Sequence, residues 1–307
     1  MNIKLAVPDL ASSSYFPAVA AAALGAFEEQ GLAVTIEHVS PLERCIDALR
    51  DGIVHFVGAS AHAPLLSFPN WKGAKLLCAQ SQGTYWLLVM RSDLGISRGD
   101  LGALRGKRVA AVPFVADLLR QVLKHSGIEP GDVDFVIPAF ASKPGTNFGV
   151  AAAGALRERK IDGFFANGVG AELVIGSGLG NLVLDIRRGD GPAGCFDYTM
   201  PCIATTDGMI ADQPDVAGGI IRGIVKTQRL LKSDRALAGK AGIQFFNTDL
   251  RTVITDVVER DLPYYRPGIS REFVTTMSQY ARDVGLLTSE PSYQEVVAEQ
   301  FRSEWID

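Results

Sequence analysis

Strand-like and helix-like segments alternate from the first residues of this chain, and no other feature limits its fold as much. Residues 3–8 read as a strand, a helix follows from about Pro17 to Gln30 with Gly31 as its stop, and Leu32–Val39 reads as a second strand. Glu43–Arg50 has helical patterning, Ile53–Gly58 is a third strand, a short helix begins near Ser60, and Ala74–Ala79 is an apolar run. A second series starts at Val109–Val112. It continues through a helix to His125, a strand over Val133–Ile137, a helix from Asn147 to Arg159 and a strand over Ile161–Ala166. Such alternation predicts an α/β architecture with a largely parallel sheet and helices on its faces.

The two series echo one another weakly. Ala48–Val57 and Ala155–Phe165 both read as a helix end, a turn and a buried strand, which suggests two similar lobes. From about Gln213 the patterning turns helical. Val216, Ala217, Ile220, Ile221, Ile224 and Val225 recur at helical spacing after Pro214, and helices are expected around Leu250–Glu259, Glu272–Arg282 and Tyr293–Trp305. The expected division places residues 1–84 and 203–307 in one lobe and 85–202 in the other.

Composition narrows the function. With 307 residues, 47% hydrophobic and 21% charged, the chain has the balance of a globular protein. A net charge of -4 and the absence of any Lys/Arg-rich run argue against nucleic acid as a partner. Four histidines and four cysteines are scattered without ligand spacing, so neither a metal nor another cofactor is expected. Cys195 and Cys202 are near enough in sequence for a disulfide if the chain reaches an oxidising compartment. The apolar stretch after Phe16 is interrupted upstream by Asp9 and Ser12–Ser14, so it does not read as a signal peptide. Taken as complete, the chain would be cytoplasmic; if a leader has been removed, it would be periplasmic.

Two stretches carry a family resemblance. Pro17-Ala18, Gly25-Ala26-Phe27 and Gly31-Leu32-Ala33-Val34 resemble the opening helix and second strand of the SsuA/THI5-like (NMT1/THI5-like) solute-binding proteins. Leu101–Pro113 is similar to that family's entry into the second lobe, and the two helix-end-to-strand segments match a recurrent pattern in it. The resemblance implies a type 2 periplasmic-binding-protein fold: two α/β lobes, a ligand cleft between them and a helical C-terminal segment. It also implies capture of a small organic molecule for an ABC-type importer, with a permease as partner. In one respect the chain departs from the pattern. The family often has a small polar residue after the Val-Pro of the second lobe, whereas Pro113 is followed here by Phe114-Val115-Ala116. That points away from a strong oxyanion and towards an aromatic or heteroaromatic ligand.

In open α/β sheets, ligands meet the loops that leave the C-terminal strand ends, where helix N-termini offer unpaired N–H groups. Ser13, Ser14 and Tyr15 follow the first strand, as ligand contacts or as helix caps. Ser60 and His62 follow the third, Ser60 as the expected cap and His62 either facing the ligand or solvated. Phe114 holds the matching place in the second series, as ligand wall or core, and Asn167 opens a loop with Gly168 and Gly170. Gln82 and Tyr85 lie at the expected crossing between lobes and Tyr198 near the return crossing, for ligand stacking or for hinge packing. No phosphate loop, nucleophile elbow or zinc-protease motif is present. The alternative is a cytoplasmic enzyme on the same fold, decarboxylase- or desulfinase-like, acting on a small aromatic or heterocyclic substrate. A desulfinase would call for a nucleophilic Cys where Ser12–Ser14 stand, and His62 would then be the candidate acid or base.

Overall fold

A computed structural model describes residues 2–137, 147–243, 245 and 248–306. The chain runs β1 (Asn2–Val7), α1 (Phe16–Ala23), β2 (Ala33–His38), α2 (Leu42–Arg50), β3 (Phe56–Ser60), β4 (Ala74–Ala79) and β5 (Leu87–Arg91). It continues with β6 (Arg108–Ala110), α3 (Pro113–His125), β7 (Asp134–Val136), α4 (Phe148–Arg157), β8 (Gly163–Ala166), α5 (Gly168–Gly176) and β9 (Gly180–Asp185). After β10 (Pro201–Thr206) the elements among the described residues are helical: α6 (Asp207–Asp212), α7 (Pro214–Ser233), α8 (Ala236–Gly242), α9 (Thr248–Asp261), α10 (Arg271–Asp283) and α11 (Tyr293–Val296).

Contacts divide the chain into two units. Unit 1 comprises Met1–Gln82 and Thr199–Asp307, and unit 2 the contiguous stretch Gly83–Tyr198. Unit 1 holds a sheet ordered β2-β1-β3-β10-β4, and unit 2 a sheet ordered β7-β6-β8-β5-β9. In unit 1, β1 pairs in parallel with β2 and β3, while β10 runs antiparallel between β3 and β4. Unit 2 repeats the plan: β6 is parallel to β7 and β8, and β5 is antiparallel between β8 and β9. Both sheets are therefore mixed, which the alternation of strands and helices alone did not specify.

In unit 1 the core forms where helices cover the sheet. Leu5, Phe16, Phe27, Phe56, Ile203, Ile220 and Ile224 are all fully buried, each phenylalanine contributing about 1.5–3 kcal/mol by leaving water. Unit 2 closes over Leu87, Val89, Ala152, Leu156, Phe164 and Val174. There α4 and α5 approach so closely that a Cβ at Gly170 would lie 2.4 Å from the carbonyl carbon of Gly149.

Several boundaries differ from expectation. The first helix stops at Ala23 rather than Gln30, because Gly25 takes a left-handed φ of 75° and only a 3-10 turn, Glu28–Gln30, follows it. The stretch expected as one helix over 293–305 is α11 and a 3-10 helix, Glu299–Trp305, separated by Val297, which bridges to Leu76. Cys45, Cys78, Cys195 and Cys202 are free and buried, so Cys195 and Cys202 do not pair. No described helix is long and apolar enough to cross a membrane.

Candidate functional site

In unit 1 the registers place four chain segments at one end of the sheet. The loops leaving β1 and β3, the end of β4 and the approach to β10 meet there, since Pro201 pairs with Ser60 and Cys202 with Ala79. Ser12, Ser13, Ser14, Ser60, His62, Gln80, Ser81 and Thr199 lie in these segments, all at most 2% exposed, and Tyr15 is 5% exposed. A run of hydroxyls and amides this deeply buried needs partners, since each one left unmade costs about 1–3 kcal/mol.

Most of the partners come from far along the chain. Ser13 Oγ donates to Asp261 Oδ2 at 2.8 Å, and its carbonyl accepts from the Tyr265 hydroxyl at 2.6 Å. Of the two readings of these serines, ligand contact or helix cap, no serine side chain takes up the cap. Tyr15, at the N-cap of α1, makes no side-chain capping bond, and the Ala18 N–H is taken by Gln80 Oε1 at 3.1 Å. Gln80 is held in turn by Gln228, whose Nε2 donates to the Gln80 carbonyl at 2.8 Å. Ser12 Oγ is buried with no hydrogen-bond partner among the described residues. Ser60 does not cap a helix; it ends β3, and the 3-10 turn Ala63–Leu66 has His62 at its N-cap.

His62 is not solvated. Its ring is fully buried, Nδ1 lies 2.9 Å from Thr199 Oγ1, and the Tyr280 ring of α10 stands edge-on with centroids 5.1 Å apart. Burial pushes its pKa down to about 3, so the imidazole is neutral at physiological pH. A neutral imidazole offers one donor and one acceptor, which suits recognition; a base this weak is a poor proton acceptor near pH 7. Gln82 is engaged within unit 1, its Nε2 donating to the carbonyls of Arg266 and Gly268 at 2.8 and 2.9 Å.

Unit 2 gathers a different set at the corresponding end of its own sheet. Asn167 follows β8, Phe114 stands in the first turn of α3, and Tyr85 precedes β5, whose Leu87 pairs with both Ala166 and Asp185. Tyr85 packs on Trp86 at a centroid distance of 4.7 Å, and Trp86 meets Phe165 at 6.1 Å. The guanidinium of Arg187, just after β9, lies 5.9 Å from the Tyr85 ring centroid and donates to the Gly83 carbonyl at 3.2 Å. Tyr198 is drawn elsewhere. Its hydroxyl sits 2.5 Å from Nδ1 of His125, the last residue of α3, whereas Phe114 lies at the opposite end of that helix. The sequence reading did not single out Gln80, Arg187, Thr199, Asp261 or Tyr280. Only Gln80, two residues before Gln82 at the expected crossing, carried a local signal.

A family model described as NMT1/THI5 like matches residues 12–231, well over half of the chain. The chain belongs to that family. No curated protein sequence matches this NMT1/THI5-like chain, but solved structures match its fold over nearly its whole length. The alkanesulfonate-binding protein SsuA from Xanthomonas axonopodis pv. citri, bound to MOPS, is 15% identical with a TM-score of 0.71, the match covering 98% of this chain and 97% of SsuA. The periplasmic nitrate-binding protein NrtA from Synechocystis PCC 6803 is 13% identical with a TM-score of 0.71, over 99% of this chain and 87% of NrtA. The desulfurization enzyme DszB is 14% identical with a TM-score of 0.65, over 98% of each chain. At these identities the likeness is one of fold: this NMT1/THI5-like chain has the α/β fold of the periplasmic binding proteins.

Proposed function

We propose that this protein is a solute-binding protein that captures a small organic molecule, aromatic or heteroaromatic in part, for an ABC-type importer. The carrying observation is the set of buried, neutral hydrogen-bonding groups at the strand ends of unit 1, with Ser12 Oγ left for a ligand and His62 held uncharged. Within unit 2, Tyr85 packs on Trp86 and Asn167 stands at the N-cap of α5, an aromatic pair and an amide of the kinds such a ligand would use. Membership of the NMT1/THI5-like family and fold likeness to SsuA and NrtA support the reading. Catalysis fits less well. Ser13 donates to a carboxylate rather than to an imidazole, and His62 is paired with Thr199 and protonates only in strong acid.

Native mass spectrometry of the protein as purified should reveal a bound small molecule. With that molecule in hand, calorimetry on Asn167→Ala and His62→Ala should show binding weakened by about 1–3 kcal/mol for each, the cost of a lost buried hydrogen bond. Because His62 is fully buried, its replacement also lowers stability, so thermal melts without ligand must accompany the titrations. Unchanged affinity in both variants, or turnover of the bound molecule, would defeat the proposal.

A further inference from the structure

Away from the strand-end loops, unit 1 has an open pocket of about 370 Å³ between α10 and the segment before and within α11. That is within the range of roughly 300–1,000 Å³ typical of small-molecule sites. Its floor is one stripe of α10: Arg271, Val274, Thr275, Ser278 and Arg282 recur at helical spacing and all line it. Glu290, Pro291 and Tyr293 form the facing wall. The opposite stripe of the same helix, with Phe273, Met277 and Tyr280, is buried in the core.

The polar groups of this cavity are unevenly satisfied. Arg271 is fixed: its guanidinium lies 4.4 Å above the Tyr293 ring, and Nη2 donates to Glu299 Oε1 at 2.7 Å. Tyr293 is fixed as well, its hydroxyl donating to the Ile269 carbonyl at 2.6 Å. Arg282 is oriented by Gln279 Oε1 at 2.7 Å and by the Ser289 carbonyl at 3.3 Å. Its counter-charge is weaker. Glu290 reaches it only at 3.5 Å, with a side chain 83% exposed. Exposed pairs of this kind are worth about 0–1 kcal/mol. Beneath them Ser278, only 4% exposed, has a hydroxyl with no partner among the described residues.

We propose that this cavity is a second binding site, for a small carboxylate carrying an apolar or aromatic body. The carboxylate takes the place of Glu290 opposite Arg282 and accepts from Ser278 Oγ, a geometry a guanidinium favours. The apolar body lies on Val274, Pro291 and the Tyr293 ring. A bare inorganic anion would leave that surface wet, and a neutral amide would forgo the charge.

The test titrates benzoate into the full chain and follows the backbone amides by NMR, with benzamide and inorganic phosphate as comparison probes. Saturable shifts confined to 271–283 and 290–293 are expected with benzoate, and weaker binding with both comparison probes. Arg282→Gln should weaken benzoate at least about tenfold, through loss of a hydrogen bond to a charged group. Glu290→Gln removes the competing carboxylate and should tighten it by about two- to fivefold, the strength of an exposed ion pair. Glu290 is exposed, so that variant keeps its fold, and melts check the Arg282 variant. Shifts that do not saturate, phosphate binding as tightly as benzoate, or affinity unchanged in either variant would overturn the proposal.

Discussion

Lowering the pH from 7 to 5 should destabilise this protein through His62 in particular. At pH 7 the imidazole is neutral in the folded protein and mostly neutral in the unfolded chain. Below its ordinary value of 6.5 the unfolded chain binds a proton that the folded protein, with the ring held down to about 3, does not take up. Stability therefore falls as the pH drops through 6.5 and goes on falling towards 3, by about 1.4 kcal/mol per unit. At pH 5 the loss amounts to about 2 kcal/mol, a sizeable part of the roughly 5–15 kcal/mol that holds a domain together. Urea unfolding at half-unit steps from pH 7 to 5 measures it, with His62→Asn as the comparison. Asparagine keeps an amide where Nδ1 meets Thr199 but has nothing to titrate. The variant should be less stable at pH 7 and should show a pH slope shallower by close to one proton. Equal slopes in the two proteins would refute the claim that this ring is buried and neutral.

Ser13→Ala should cost about 1–3 kcal/mol, because it removes a 2.8 Å bond between two buried groups, Ser13 and Asp261, while the Tyr265 bond to the Ser13 carbonyl remains. Urea midpoints at pH 7 measure it, and a neutral result would mean that Asp261 is fully served by other partners. Gly170→Ala should destabilise by about 1–3 kcal/mol or more, since its Cβ would sit 2.4 Å from Gly149 backbone and α4 and α5 would have to separate. Thermal melting reads this directly, and a melt equal to wild type would show that the two helices have slack.

Periodicity revealed what was local. The helices α2, α3, α7 and α10 carry apolar stripes with recognisable starts, and β1, β3 and β8 are short apolar runs between turns. Candidate residues at the ends of β1, β3 and β8 followed from the rule that loops at strand ends meet ligands. Pairings across long separations were out of reach. Gln80 closes α1 from 62 positions away and Asp261 meets Ser13 from 248, and no pattern within a window of sequence carries either fact. The same holds for Val297, an apolar residue in a helix-like run that is drawn into a bridge with Leu76. Burial of His62 also came as a correction: a histidine in a polar loop reads as wet until Tyr280 and Thr199 are placed around it.

The place of β10 in its sheet sets an order of events at the ribosome. β3 and β4 are joined through β10 alone, whose residues 201–206 lie more than a hundred positions downstream of both. When the first 82 residues have emerged, their sheet has a vacant slot, with unpaired N–H and C=O groups along β3 and β4. Residues 83–198 contain every strand of the second sheet in one continuous stretch and can complete it at once. Synthesis at about 5–20 residues per second leaves the first sheet open for several seconds while the second is made. Unit 2, begun second but finished first, is thus the first able to fold, and the nascent N-terminal segment is the one that needs protection from pairing with another chain.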